Sequence, residues 1–349
     1  MDIHQMKVFF GLVNYGTQSG FLARGLRERG IKAFSVTSYD PFERVTDLTL
    51  KHSGTNLIEK LYNYVWNKLY LFHCFFYYDI FHFYAGKTLT KSQWELPFYR
   101  LFGKKVVFEY LGLDVQKYKY SVENFKYTNI VYRISEERAE EHDYYVSERL
   151  RWHKKYADLQ IVCAPLYSPF VPSSTVLPLG IDLDEFTYSP KSEQNNKVKI
   201  MHAPTHRGNK GTKYIIDAIN QLKDEGYDIE IMLVENVSHN RLKEMYKECD
   251  IFVDQILSGW YGTASIEAMA LGRPVVCHIN KEFYKYIDYG DIIPIIDANP
   301  NNIYNVLKDL VENKVDLKKI ASKGRYFVNK IHDLDNIVNE VLKLYNKKL

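Results

Sequence analysis

"SGWYGTASIEAMALGRPVVC", Ser258 to Cys277, decides how this chain is read. A loop punctuated by Gly259 and Gly262 runs into a helix of small residues. The helix stops at Gly272, and Pro274 leads into an apolar strand. Such a loop, helix and strand form part of an alternating α/β series, which argues for a parallel sheet. Glu267 lies four residues after Thr263, so both point to about the same side of the helix. It is not the capping-box partner of Thr263, because that role falls at residue 266, which is Ile. Ala264, Ala268, Met269 and Ala270 describe a packed helix, which weakens the reading of Glu267 as an ordinary solvated glutamate. The free amides of the helix start, at Gly262 and Thr263, suit phosphate oxygens. A carboxylate is repelled by phosphate, so Glu267 is better matched to a neutral diol such as the vicinal hydroxyls of a ribose.

The segments around this stretch alternate in the same way. A strand "VKIMHAP" precedes a loop "THRGNKG" and a helix "TKYIIDAINQLKDEG". Then come strand "DIEIMLVE", helix "NRLKEMYKEC" and strand "DIFVDQI"; beyond the opening stretch lie the short strand "IIPIID" and the closing helices. Ligands of open parallel sheets sit outside the carboxyl ends of the strands. Arg207 and Lys210 lie there, beside Gly208 and Gly211, just before a helix. A planar guanidinium fork and a point charge suit a diphosphate. Taken alone, the loop reads better as a basic solvated turn, because basic loops before helices are common. Glu235 and Asn236 follow the next strand and are placed to lie against a nucleobase through their backbone.

The first half repeats the pattern. Strand Lys7 to Val13, turn "NYGTQSG" and helix "FLARGLRERG" are followed by strands at "KAFSVT", "DIFHFY", "KKVVFEYL", "LQIVCA" and "STVLPLG". The polar segment "SPKSEQNNKVK", Ser189 to Lys199, reads as the linker. Two Rossmann-type domains are therefore expected, residues 1–190 and 191–330, with a carboxy-terminal helix at 331–349 packing back toward the first.

Bulk composition narrows the function classes. At 349 residues, two domains are the natural expectation. A net charge of +3 implies no strong field for a polyanion, so no nucleic-acid partner is expected. Four dispersed cysteines form no C-x-x-C pair, which argues against a disulfide framework and fits a reducing, cytoplasmic compartment. The amino terminus shows no signal-peptide pattern. Leu61 to Tyr84 is the most apolar region, but Asn63, Asn67, Lys68 and Asp79 interrupt it too often for a spanning helix. A buried helix followed by a buried strand is expected there, with peripheral contact at the inner face of a membrane as the lesser reading.

"HRGNKGT" followed by "YGTASIEAMALGRPVV" resembles the retaining glycosyltransferases of family 4, the group 1 glycosyl transferases. "LPLGIDLDEF", "GKKVVFEYLGLDVQ" and "YGTQSGFLARGLRERG" extend the resemblance over almost the whole chain. It implies the α/β GT-B fold, two Rossmann-like domains with parallel sheets facing across a cleft. It also implies that Arg207 and Lys210 bind the diphosphate of a UDP- or GDP-linked sugar donor, and that Glu267 binds its ribose. The acceptor would be a saccharide or lipid-linked saccharide, in bacterial surface-polysaccharide or glycoconjugate assembly, with front-face attack and no cofactor. The family's second glutamate is replaced here by Gly259, leaving Gly16, Asp254 and Gln255 as candidates for the donor sugar or its loop. The family's acceptor-side histidine is replaced by Leu111, leaving Asp114 and His82 as catalytic candidates, with Glu109 behind them.

Two D-x-D triplets, Asp182–Asp184 and Asp333–Asp335, could suggest a metal-held sugar nucleotide. The first falls at the domain junction and the second at a helix start, where Asp caps, so no metal is expected. Other readings stay open: a sugar-nucleotide epimerase or phosphorylase of the same fold, and a non-catalytic sugar-nucleotide-binding protein. An NAD-dependent oxidoreductase is disfavoured because "NYGTQSG" lacks G-x-G-x-x-G spacing.

Overall fold

The computed structural model describes residues 5–40, 44–191, 197–312 and 316–349. The chain divides into two compact units. The first comprises residues up to Gln116, Tyr144–Gly180 and Leu334–Leu349; the second comprises Lys117–Asp143 and Ile181–Asp333. The expected boundary at residue 190 thus falls inside the second unit, and the middle of the expected linker, residues 192–196, lies outside the described residues.

The first unit carries a seven-stranded sheet of β1 (Lys7–Leu12), β2 (Lys32–Thr37), β3 (Leu48–Thr49), β4 (Ile80–Tyr84), β5 (Lys105–Tyr110), β6 (Leu159–Val162) and β7 (Thr175–Val176). Their order is β3-β2-β1-β4-β5-β6-β7, and every pairing is parallel. Because strand side chains alternate, Val8 and Phe10 enter one core layer while Phe9 enters the other. Helices Gln18–Glu28 and Leu334–Lys348 cover the first layer, and Gly25 meets Val338 between them. A buried strand covered on both faces explains why these strands read as continuous apolar runs.

Helix Leu57–Tyr77 departs from expectation. Its buried positions are Asn63, Asn67, Leu71, Cys74 and Phe75, and most of its apolar side chains face outward. The two asparagines turn inward because loop carbonyls need donors: Asn63 donates to Ser53 and Asn67 to Lys51, at 2.7 and 2.8 Å. The expected buried helix is therefore half-correct; strand β4 is wholly buried, the helix is not.

The second unit carries a five-stranded parallel sheet of β8 (Val198–His202), β9 (Ile229–Leu233), β10 (Ile251–Val253), β11 (Val275–Cys277) and β12 (Ile296–Asp297), ordered β12-β11-β10-β8-β9. Strand order reverses between β8 and β10, so the loops after these two strands diverge to opposite faces. That divergence opens a crevice at their carboxyl ends. Helix Thr212–Asp224 packs Ile215, Ile219 and Leu222 into the core beside Ile200, Ile251 and Val253.

Candidate functional site

The crevice of the second unit gathers most of the donor-side residues. After β8 the chain makes one helical turn, Arg207–Lys210, rather than an open loop. Gly211 closes the turn at φ +78°, a left-handed conformation that suits glycine, and a Cβ there would collide with Ile256 at 2.6 Å. The Lys210 carbonyl accepts from Ile256 N–H at 3.1 Å, which ties the turn to the segment after β10.

Asp254 is the anchor of this crevice. It is 1% exposed, and its two oxygens accept from Lys210 Nζ and Ser265 Oγ, each at 2.6 Å. Burial alone would raise its carboxyl pKa, but Lys210 and Ser265 hold it below the ordinary value. Lys210 is thereby fixed between the β8 turn and helix Thr263–Ala270. Asp254 was a candidate for the donor sugar; the structure engages both its oxygens within the protein. Gln255 donates to the Trp260 carbonyl, and its own carbonyl accepts from His278 N–H at 3.0 Å, so it braces the glycine loop.

Arg207 faces Glu235 in a two-point fork, 2.9 Å from Nε and 2.5 Å from the terminal nitrogen. This contact draws the Glu235 carboxyl below its ordinary range. Asn236, next to it, adopts φ +55°.

The opening stretch forms helix Thr263–Ala270 with Gly262 extended before it. Ser265 N–H bonds the Gly262 carbonyl at 3.1 Å, so the amides of Thr263 and Ala264 precede the first helical bond. A Cβ on Gly262 would meet nothing within 4 Å, so the backbone here borders open space. The helix ends in a Gly272 turn at φ +79°, with Arg273 N–H on the Ala268 carbonyl and Gly272 N–H on that of Met269. Arg325 donates to the Ala270 carbonyl at 2.9 Å and Gly324 admits Met269, which fixes the helix from behind. Glu267 stands one turn in, and its Oε1 lies 2.9 Å from His239 Nε2.

Gly259 sits at φ +78°, and its carbonyl accepts from Asn280 N–H at 3.0 Å. This backbone disfavours any side chain, which gives a physical reason for glycine where the resembling family has glutamate.

Sequence reading did not find His202. It is 1% exposed, with Nδ1 2.8 Å from the Val253 carbonyl and Nε2 2.8 Å from Thr212 Oγ1. The carbonyl can only accept, so Nδ1 donates and Nε2 takes the threonine proton. Burial lowers its pKa to about 4. His202 thus joins β8, β10 and the first residue of helix Thr212–Asp224 while uncharged. His239 was missed for another reason: its partner is 28 positions away, with no local signal.

The acceptor-side candidates belong to the first unit, and the structure gives them structural partners. His82 is fully buried, with Nδ1 2.7 Å from Tyr345 Oη and Nε2 3.0 Å from Glu109. It stacks on Tyr84, so it is a hydrogen-bonded core residue rather than a solvent-facing base. Asp114 folds back on its own turn, accepting from Gly112 N–H at 2.6 Å and Leu111 N–H at 3.1 Å. Burial raises its pKa to about 6 despite those amides. Gly16 adopts φ +52° in a turn held by Gln18, which donates to the carbonyls of Gly16 and Gly180. Of the D-x-D triplets, Asp182 caps the short turn at Asp184 and Asp335 pairs with Arg29 at 3.0 Å. Among the described residues, no group of three or more His, Cys, Asp or Glu side chains is placed to hold a metal ion.

Residues 218–326 match the family model for glycosyl transferases group 1. No curated protein matches the chain. Solved structures follow nearly its full length. A sucrose-phosphate synthase from Thermosynechococcus elongatus aligns with TM-score 0.62 and 16% identity, covering 97% of this chain and 98% of that one. HepE from Anabaena, in complex with UDP-glucose, aligns with TM-score 0.63 and 12% identity over 98% and 100%. A putative UDP-N-acetylglucosamine 2-epimerase from Listeria monocytogenes aligns with TM-score 0.55 and 13% identity over 97% and 95%. Two units with parallel sheets, the group 1 glycosyl transferase segment and these alignments together give the chain the GT-B fold of glycosyltransferases.

Proposed function

We propose that the protein is a retaining glycosyltransferase that moves a sugar from a nucleoside diphosphate donor to an acceptor hydroxyl. The observation that carries this is the convergence of Lys210, the amides of Thr263 and Ala264, and Glu267 on the β8–β10 crevice. Lys210 and the helix amides would receive the diphosphate, and their positive potential would stabilise it as it leaves. Lys210 stays fixed by Asp254, whereas the exposed Arg207 guanidinium pairs with a half-buried Glu235 carboxylate, an interaction open to solvent and worth little. Arg207 can therefore exchange Glu235 for a phosphate at small cost. Glu267 would grip the ribose, giving up its contact with His239. No metal or cofactor enters this scheme, since side chains and amides carry the charge.

HepE, solved with UDP-glucose, supports a uridine diphosphate sugar as donor, and the resemblance to family 4 keeps a guanosine diphosphate sugar as the alternative. The resemblance to family 4 supports retention and an acceptor in bacterial surface-polysaccharide or glycoconjugate assembly, saccharide or lipid-linked, at the cytoplasmic side of the cell. The putative epimerase among the aligned structures favours one competing reading, sugar-nucleotide epimerisation. A thermal-shift panel of nucleoside diphosphates and nucleotide sugars identifies the donor by its raised melting temperature. That donor is then incubated with and without an acceptor pool. Transfer only with acceptor, with the anomeric configuration kept, is the expected result. Interconversion of the sugar nucleotide without acceptor would establish the epimerase instead. Full transfer rate by Arg207→Ala at subsaturating donor would remove Arg207 from the scheme.

A further inference from the structure

Helix Thr263–Ala270 sets the direction in which a donor would lie. Glu267, proposed above to grip the ribose, stands four residues, or about 6 Å of helix rise, beyond the Thr263 amide that would receive the diphosphate. A sugar joined to the far phosphate would therefore lie before the helix start, over the loop Gly259–Gly262. This loop is bonded to the segment that follows β11. The Gly259 carbonyl accepts from Asn280 N–H and the Gln255 carbonyl from His278 N–H, each at 3.0 Å. Asp254 and Gln255 do not serve the sugar end: the first has both oxygens engaged, and the second is turned to the Trp260 carbonyl.

His278 is the first residue past the carboxyl end of β11, and Asp297 is the last of β12. Ligands of open parallel sheets gather at these ends. His278 Nδ1 lies 3.0 Å from Asp297 Oδ1, which also accepts from Ile279 N–H at 2.9 Å. Burial would raise the Asp297 carboxyl pKa, but these two bonds hold it below its ordinary value. An ionised carboxylate only accepts, so Nδ1 carries a proton and, in the neutral imidazole, Nε2 presents a lone pair. Tyr127 meets the imidazole nearly perpendicularly, at 87° and 5.4 Å between ring centres, and with Asp297 fixes the plane of the ring. The His278 side chain keeps 13% of its surface exposed, and its Nε2 has no hydrogen-bond partner among the described residues. The rim thus carries an oriented acceptor that the fold itself leaves unused. A phosphate oxygen at neutral pH is also an acceptor, so the matching group on a ligand is a hydroxyl. We infer that His278, positioned by Asp297, accepts a hydrogen bond from a hydroxyl of the donor sugar. The inference rests on the donor site proposed above and adds to it a residue that reads the sugar.

Two substitutions separate this role from that of a strut between β11 and β12. In His278→Asn the amide falls near the place of Nδ1 and can still donate to Asp297, but nothing stands at Nε2. In His278→Gln the amide reaches the place of Nε2 but not that of Nδ1. Calorimetric titration compares wild type and both variants with UDP, GDP, UDP-glucose, UDP-N-acetylglucosamine and GDP-mannose. His278→Asn should weaken the tightest nucleotide sugar about fivefold and leave its parent diphosphate unchanged, while His278→Gln binds that nucleotide sugar within about twofold of wild type. The inference is overturned if His278→Asn binds the nucleotide sugar like wild type, or if it weakens sugar and diphosphate alike. A strut predicts the reverse ranking, with His278→Gln the weaker binder, and that result overturns it too. A wild type that binds neither diphosphate nor nucleotide sugar would remove the donor site itself, whereas diphosphate binding with an unaffected His278→Asn removes His278 alone.

Discussion

Replacing Lys210 by Met separates its structural and ligand-binding roles. Asp254 is 1% exposed and takes two hydrogen bonds of 2.6 Å, one from Lys210 and one from Ser265. Lys210→Met keeps the chain length but leaves a buried carboxylate with one partner. Breaking a buried pair from one side costs about 3–5 kcal/mol, and because the Lys210 side chain keeps 14% of its surface in water, the lower end applies. Adding Asp254→Asn removes the buried charge while still accepting from Ser265, and should recover about 2 kcal/mol of the loss. Urea unfolding of the single and double variants measures both numbers. Calorimetric titration with a nucleoside diphosphate measures the other half: the double variant, stable again, should still bind at least about tenfold more weakly than wild type. A Lys210→Met protein as stable as wild type would refute the anchoring argument. A double variant that binds like wild type would refute the phosphate role of Lys210.

Three further predictions concern the same framework. His202 is neutral in the fold, with a pKa of about 4 against an ordinary 6.5, so its contribution is present above the ordinary value and lost as pH falls. Between about pH 7 and 5 that loss is about 2 kcal/mol, and His202→Gln should remove it from the pH dependence of unfolding. Asp114 works in the opposite sense: its raised value of about 6 means that its contribution is largest at low pH and fades as pH rises through 6. Relative to Asp114→Asn, the wild type should gain about 1 kcal/mol between pH 7 and 5, and no gain would show that Asp114 is ionised throughout. Gly259→Glu, which restores the common family residue, should cost about 1–2 kcal/mol in urea unfolding because of the left-handed backbone, without strengthening donor binding.

The strands were legible because apolar runs ending in Gly or Pro need no distant information. The packed helix after Gly262 was legible for the same reason, through Ala264, Ala268, Ala270 and Gly272. Lys210 and Glu267 were found as charges beside glycines and helix starts. Their partners were not legible as partners. Asp254 lies 44 residues from Lys210 and His239 lies 28 from Glu267, and only the order β9-β8-β10 brings such loops side by side. His202 sits within an apolar strand, where nothing local distinguishes a bracing histidine from any other. His82 and Asp114 carried no sign in the sequence that Tyr345, Glu109 and the Leu111–Gly112 amides would claim them. For helix Leu57–Tyr77, apolar content suggested burial, but the two asparagines already marked one face, and which face turns inward was settled by loop carbonyls at Lys51 and Ser53.

The most direct test of the donor-site account is calorimetric titration of wild type and Glu267→Gln with the preferred nucleoside diphosphate and its 2′-deoxy form. A ribose gripped by Glu267 predicts that wild type binds the ribonucleotide at least about tenfold more tightly than the deoxynucleotide, and that Glu267→Gln loses most of that preference. Equal discrimination by both proteins, with unchanged affinity, would contradict the assignment of Glu267 and with it the donor site built around the β8–β10 crevice.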